Sequence, residues 1–315
     1  MKKLFVILAA AMMTAAIASA QDTMATASEK YNAGLEQFNA GDKLAALDSF
    51  KEALRISEAL GSEGEALAAN CKKAIPGLLL SLAKQCNNEK KFADAVKYAE
   101  EAAKTAESYE DFDTLGAANE LLPTLKVSEA YFDADNLLKA KDFAAAAEGY
   151  KKVLELDPSH ANAALRLVQA YTEAGDIDNA KASLETAKAL GKEADANKII
   201  GKAYLKKASA ALKAKNFSAA LTNAQSASEF IQEGNVYLIA GQAASKMPGK
   251  ENLAIENFSK YLEVSPKAKN AGPIAYTVGA LYQQQKNNAK ALEFYKKAES
   301  LGYAQAGEMI KALSK

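Results

Sequence analysis

The chain has 315 residues, with 39 basic against 39 acidic side chains, one His, two Cys and no Trp. Nearly all of the basic charge is Lys, and Arg55 and Arg166 are the only arginines. That balance argues against a nucleic-acid binder, which carries a basic excess and uses Arg forks on phosphates and bases, and two cysteines are too few for a disulfide scaffold.

The chain opens MKKLFVILAAAMMTAAIASA. Lys2 and Lys3 precede an uncharged apolar stretch, Leu4 to Ala18, that is short for a bilayer span, and Ala18-Ser19-Ala20 reads as a cleavage signal before Gln21. Residues 1–20 are therefore expected to be an export signal of bacterial type, with 21–315 as the mature chain; an uncleaved anchor is the alternative. No Cys follows the apolar stretch to carry a lipid. No second apolar run of spanning length appears, so no stable membrane span is expected in the mature chain.

Beyond the leader, Ala, Lys, Glu and Leu dominate, and no β-branched run at period two occurs, which predicts an all-helical protein. In chain order, one pattern returns: an Ala, then an aromatic or Leu four residues on. It appears at 44–53 (Ala46, Phe50, Ala53), loosely at 92–102 (Phe92, Ala95), and at 143–153 (Phe143, Ala146, Tyr150). It returns at 177–187 (Ala180, Leu184, Ala187), loosely at 217–227 (Phe217, Ala220), at 254–258 (Ala254, Phe258) and at 288–298 (Ala291, Tyr295, Ala298). A small residue stands about twelve positions upstream in several copies (Gly34, Ala134, Gly241, Gly279). Turn signals fall between, AGD at 40–42 and 174–176, and Pro158 and Pro266 close two copies.

The marked alanines are unevenly spaced, which places insertions near 58–75 and 106–126. Both contain Ala-Ala-Asn followed by a Pro (Pro76, Pro123). Two forms fit: first helices lengthened through the prolines after turns near 61–64 and 109–113, or an extra short helix before each Pro. On one continuous helix over 62–89, Cys71 and Cys86 stand roughly 22 Å apart, beyond bonding reach, and read as small buried apolar residues.

The pattern resembles the tetratricopeptide repeat, a 34-residue helix–turn–helix unit, although the family's usual Trp is missing throughout. The resemblance implies an all-α, right-handed α-solenoid of about seven repeats, with two lengthened hairpins. The units fall near 27–60, 76–109, 127–160, 161–194, 201–233, 234–268 and 272–305, with a cap at 304–315 carrying Ala306, Met309, Ile310 and Leu313. In such a hairpin the small residue sits where two helices cross closely, hence Ala146. Phe143 fills the wedge at the turn, and Tyr150 lies two turns along the same face.

No catalytic constellation, cofactor motif or metal site stands out. His160 is a lone loop histidine, and the carboxylate pairs (Glu100 with Glu101, Asp111 with Asp113) fall on solvated faces or turns. Function is expected on surfaces. The resemblance implies a protein or peptide partner held in a concave groove lined by first helices: Tyr131, Asp135 and Lys139; Asn162, Arg166 and Gln169; Lys202 and Leu205; Tyr276 and Gln283. Asp135 and Lys139 also fit a plain helix-surface ion pair, whereas Arg166 has the forked head that suits a carboxylate. The carboxylate clamp of chaperone-tail binders is not expected, because Tyr131 and Asp135 replace its Lys and Asn. The resulting expectation is an exported, periplasmic adaptor in envelope assembly or secretion. The alternative is a self-associating envelope protein, a homo-oligomer joined by the extended N-terminal hairpins; the apolar run 75–83 could supply that contact, but reads better as ordinary buried helix.

Overall fold

The computed structural model describes residues 22–314, so the expected leader lies outside the described residues. No strand occurs among the described residues.

In five of the hairpins the turn rests on two adjacent residues. One adopts positive φ (Gly41 86°, Lys141 63°, Gly175 82°, Lys215 59°, Lys286 61°) and reverses the chain. The next, Asp42, Asp142, Asp176, Asn216 or Asn287, caps the second helix by accepting the backbone N–H three residues on. The stretch Lys141-Asp142-Phe143 is thus a helix stop, a helix cap and the first core-facing ring in succession. Lys141 holds a left-handed conformation that costs an L-residue about 1–2 kcal/mol.

The chain divides after Asp133 into two compact units. In the first, α1 (Met24–Asn39) pairs with α2 (Lys43–Ala59), and a 3₁₀ turn over Gly61–Glu63 leads to α3 (Glu65–Asn88), which pairs with α4 (Phe92–Ser108). α5 (Phe112–Lys139) follows. α3 and α5 run unbroken through Pro76 and Pro123 as helices of 24 and 28 residues, which selects lengthened first helices over extra short ones. Cys71 and Cys86 both lie on α3, buried and free of any bond. The run 75–83, read from the sequence as ordinary buried helix in preference to a self-association surface, packs into the core. Ile75, Leu78, Leu79, Leu80, Leu82 and Ala83 are all buried there, because a helix covered on two sides by α2 and α4 needs a wide apolar face.

In the second unit the last turns of α5 lead to α6 (Phe143–Leu156), α7 (Ala161–Ala174), α8 (Ile177–Ala189) and α9 (Glu193–Lys213). α10 (Phe217–Ser228), α11 (Gly234–Ala244), α12 (Glu251–Val264), α13 (Ala271–Gln284), α14 (Asn288–Ser300) and α15 (Ala306–Leu313) complete it. The pairs α7–α8, α9–α10, α11–α12 and α13–α14 are hairpins, and the first helices α7, α9 and α11 also touch one another in succession. That is the helix-on-helix stacking of an α-solenoid. α9, at 21 residues, is a third long first helix. α15 lays Met309, Ile310 and Leu313 on the terminal core and closes it.

The marked alanines Ala46, Ala95, Ala146, Ala180, Ala220, Ala254 and Ala291 are all fully buried. The aromatics Phe50, Tyr150, Phe258 and Tyr295 are at most 3% exposed. Their rings lie flat on the small upstream residues: a Cβ built on Gly34, Gly241 or Gly279 would stand 2.9, 2.5 and 2.8 Å from the rings of Phe50, Phe258 and Tyr295. In the α5–α6 hairpin the order reverses, and Gly149 meets Ala134. The leading rings of Phe92, Phe143 and Phe217 are only half-buried, and in the α5–α6 hairpin Tyr150 rather than Phe143 is the fully buried ring.

Candidate protein-interaction face

The side-by-side helices α7, α9 and α11 present a face built at helical spacing. Buried residues fix the back of each helix: Ala163, Ala164, Leu167, Val168 and Ala170 on α7, Ala196, Ile200 and Ala208 on α9, and Val236, Tyr237 and Ala240 on α11. Outward on the α9 side of α7 stand Arg166, Gln169 and Glu173. α9 shows Ile199, Lys202, Leu205, Lys206 and Ser209, and α11 shows Asn235 and Ile239.

Two clefts lie in this face. One, about 530 Å³, runs between α7 and α9 and is lined by Gln169, Glu173, Ile199, Lys202, Ala203, Lys206 and Lys207, among others. The second, about 480 Å³, runs between α9 and α11 and is lined by Lys202, Leu205, Lys206, Ser209, Glu233, Asn235 and Ile239. Lys202 and Lys206, one helical turn apart on α9, line both.

Beside the first cleft lies a polar network. The Tyr150 hydroxyl donates to Asp135 Oδ1 at 2.6 Å, Arg166 Nε stands 3.8 Å from the same oxygen, and Arg166 Nη1 donates to Gln169 Oε1 at 2.7 Å. Asp135 is therefore tied to α6 and α7, and the ion pair expected with Lys139 gives way to Tyr150 and Arg166. The physical reason is that the α6 ring brings its hydroxyl to the carboxylate from across the hairpin. Lys139 and Asn162 are exposed, and Tyr131, in the first unit, is half-buried. Tyr276 packs its ring between Tyr295 and Tyr303, 5.1 and 5.2 Å from their centroids, and Gln283 accepts the Tyr295 hydroxyl at 2.8 Å. Both serve the last hairpin's interior. Of the expected groove residues, the structure brings Gln169, Lys202 and Leu205 into the clefts and sets Asp135 and Arg166 beside them.

Ile199, Lys206, Ser209, Asn235 and Ile239 were missed. Their signal lay in α9: from Lys202, steps of three and four residues reach Ile199, Leu205, Lys206 and Ser209. His160 caps α7 by accepting the Ala163 N–H on Nδ1 at 3.1 Å, which gives it a structural use. Among the described residues no group of His, Cys, Asp and Glu is placed to hold a metal ion. Two clefts in the first unit are separate. One of about 580 Å³ is lined by Ser57, Glu58, Ser62, Glu65 and Lys72, and a smaller, wholly apolar one includes Leu35, Phe38, Phe50 and Leu78.

Family models of the tetratricopeptide repeat match residues 137–203 and 273–301. Those two stretches of the chain are thus similar to the tetratricopeptide repeat. The first match spans α7 and the first half of α9, where the larger lysine-lined cleft lies. Among solved structures, a crystal structure of MamA is 25% identical over 55% of this chain and 96% of its own, with a TM-score of 0.31. YrrB, whose structure is titled as a TPR protein with an unusual peptide-binding site, is 24% identical over 58% of this chain and 90% of its own, at a TM-score of 0.30. A tetratricopeptide repeat protein from Parabacteroides merdae is 16% identical over 92% of this chain and 99% of its own, at 0.27. Scores this low carry no argument about how this chain works. No curated protein matches the sequence.

Proposed function

We propose that the protein is an adaptor that holds a segment of a partner protein across α7, α9 and α11, and that it acts outside the inner membrane after removal of residues 1–20. The observation that carries the binding reading is the pair of clefts between adjacent first helices, joined through Lys202 and Lys206 on α9. A preformed helical face loses little conformational freedom on binding, so its contacts go into affinity. The export reading rests on the Lys2-Lys3, apolar, Ala18-Ser19-Ala20 order of the leader. Among the described residues no helix is long and apolar enough to cross a membrane. The setting that fits both is envelope assembly or secretion.

The test is affinity capture after cross-linking in the producing cells, with the native chain beside Lys202→Glu/Lys206→Glu. One partner enriched by the native chain and lost by the folded variant is the expected result. Equal recovery by both places binding elsewhere. N-terminal sequencing of the captured protein is expected to start at Gln21.

A further inference from the structure

We infer that the segment bound across α7, α9 and α11 is acidic at its centre and apolar on both sides, a recognition written by the order of side chains across α9. This rests on the binding reading above and names the chemistry of the partner. Lys202 and Lys206 stand on the ridge that both clefts share, with Lys207 on the α7 side. All three are exposed, and among the described residues none of them forms an ion pair, whereas other Lys and Arg side chains there, such as Lys51, Arg55, Lys126 and Lys260, do.

Carboxylates do face the clefts: Glu173 on α7 and Glu233 just ahead of α11. Each lines one cleft only, while Lys202 and Lys206 line both. A segment crossing α9 at right angles therefore meets Ile199 and Ala203 on one side, two ammonium groups at the centre, and Leu205 and Ile239 on the other side. Gln169 and Asn235 flank the path with side-chain amides suited to the backbone of an extended strand. Neighbouring helices pack about 8–10 Å apart, close to the span of three extended residues at roughly 3.3 Å each. The matching ligand is thus apolar, two or three acidic or small residues, then apolar.

The test uses fluorescence anisotropy with the native chain and the labelled peptide Leu-Asp-Ser-Asp-Leu, beside versions carrying Asn or Lys in place of both Asp. The acidic peptide is expected to bind about two- to thirtyfold more tightly than the Asn version, and more tightly than the Lys version by a larger factor. Reversing two exposed pairs, at about 0.2–1 kcal/mol for each attraction lost and each repulsion gained, gives a similar factor, so Lys202→Glu/Lys206→Glu should weaken it about tenfold or more. Glu185→Lys, on the exposed side of α8, leaves it unchanged. Binding weakens as salt rises from about 50 to about 500 mM. Should the reversal misfold, Lys202→Gln/Lys206→Gln gives the same direction at smaller size.

If the Asn peptide binds as well as the Asp peptide, yet the lysine variant abolishes both, the acidic inference falls while the binding face stands. If the lysine variants change nothing, the inference and the face both fall. If none of the peptides binds while cellular capture through Lys202 and Lys206 succeeds, the inference is overturned and the adaptor reading is kept.

Discussion

Adding one methyl group at Gly279 is expected to destabilise the last hairpin, against the ordinary helix preference for Ala. Gly279 lies within α13, where Gly→Ala by itself gains about 1 kcal/mol. An ideal Cβ there would stand 2.8 and 2.9 Å from the Tyr295 ring and 3.2 Å from the Ala291 carbonyl oxygen. The ring has nowhere to go: it is fully buried, 5.1 Å from the Tyr276 centroid, and its hydroxyl is engaged by Gln283 at 2.8 Å. Overpacking costs about 1–3 kcal/mol, and losing the hydroxyl bond adds about 1 kcal/mol. The net expectation for Gly279→Ala is a loss of about 1–3 kcal/mol, read as a lower urea midpoint by circular dichroism. Gly116 in α5 is the control, since a Cβ there meets nothing within 4 Å, and Gly116→Ala should stabilise by up to about 1 kcal/mol. In a Tyr295→Leu background the added methyl at 279 should turn neutral or stabilising. If Gly279→Ala stabilises the native chain as much as Gly116→Ala does, the account of rings packed on small residues is refuted.

Three further outcomes follow from the turns, the N-terminus and the thiols. Lys141→Gly should raise stability by about 0.5–1 kcal/mol, because relief of the left-handed strain at φ 63° exceeds the added freedom of the unfolded chain; a loss would contradict the turn geometry. The Asp22 carboxyl is held below its ordinary value by hydrogen bonds from Arg55, so this clasp is in place above the ordinary carboxylate range. It is lost as pH falls through the lowered value, and amide exchange in the first turn of α1 should quicken over that acid window in the native chain but not in Arg55→Gln. Burial pushes the Cys71 thiol up to about 11 and raises that of Cys86 as well. Iodoacetamide at about pH 8 is therefore expected to label neither thiol until denaturant is added, and rapid native labelling would contradict their burial.

The repeat was legible because packing enforces it at every turn of the stack. Ala46, Ala146 and Ala291 recur because a close helix crossing admits only a small side chain. Gly34, Gly241 and Gly279 recur because a ring lies on each of them. The insertions were legible as broken spacing, and Pro76 and Pro123 marked where they fell, though the sequence left open whether the prolines ended a helix or lay within one. Neighbouring helices supplied the packing that carries α3 and α5 through them.

The candidate face was less legible, since it depends on which side of a helix a neighbour covers. Tyr276 and Gln283 shared a frame position with groove residues, but Tyr295 and Tyr303 draw them inward. Asp135 looked like a partner for Lys139 four residues on, and only the hairpin brings Tyr150 to it. Lys206 escaped notice because the added length of α9 shifts the 34-residue frame, so the frame pointed at Lys202 and Leu205 and stopped there.

The central claim is that α7, α9 and α11 hold the partner. The most direct measurement places a photo-cross-linking phenylalanine analogue at Leu205, inside the cleft between α9 and α11, or at Glu185 on the exposed side of α8, and irradiates the producing cells. The account predicts a discrete adduct from position 205 that disappears with Lys202→Glu/Lys206→Glu, and none from position 185. An adduct from 185 and not from 205 would contradict it.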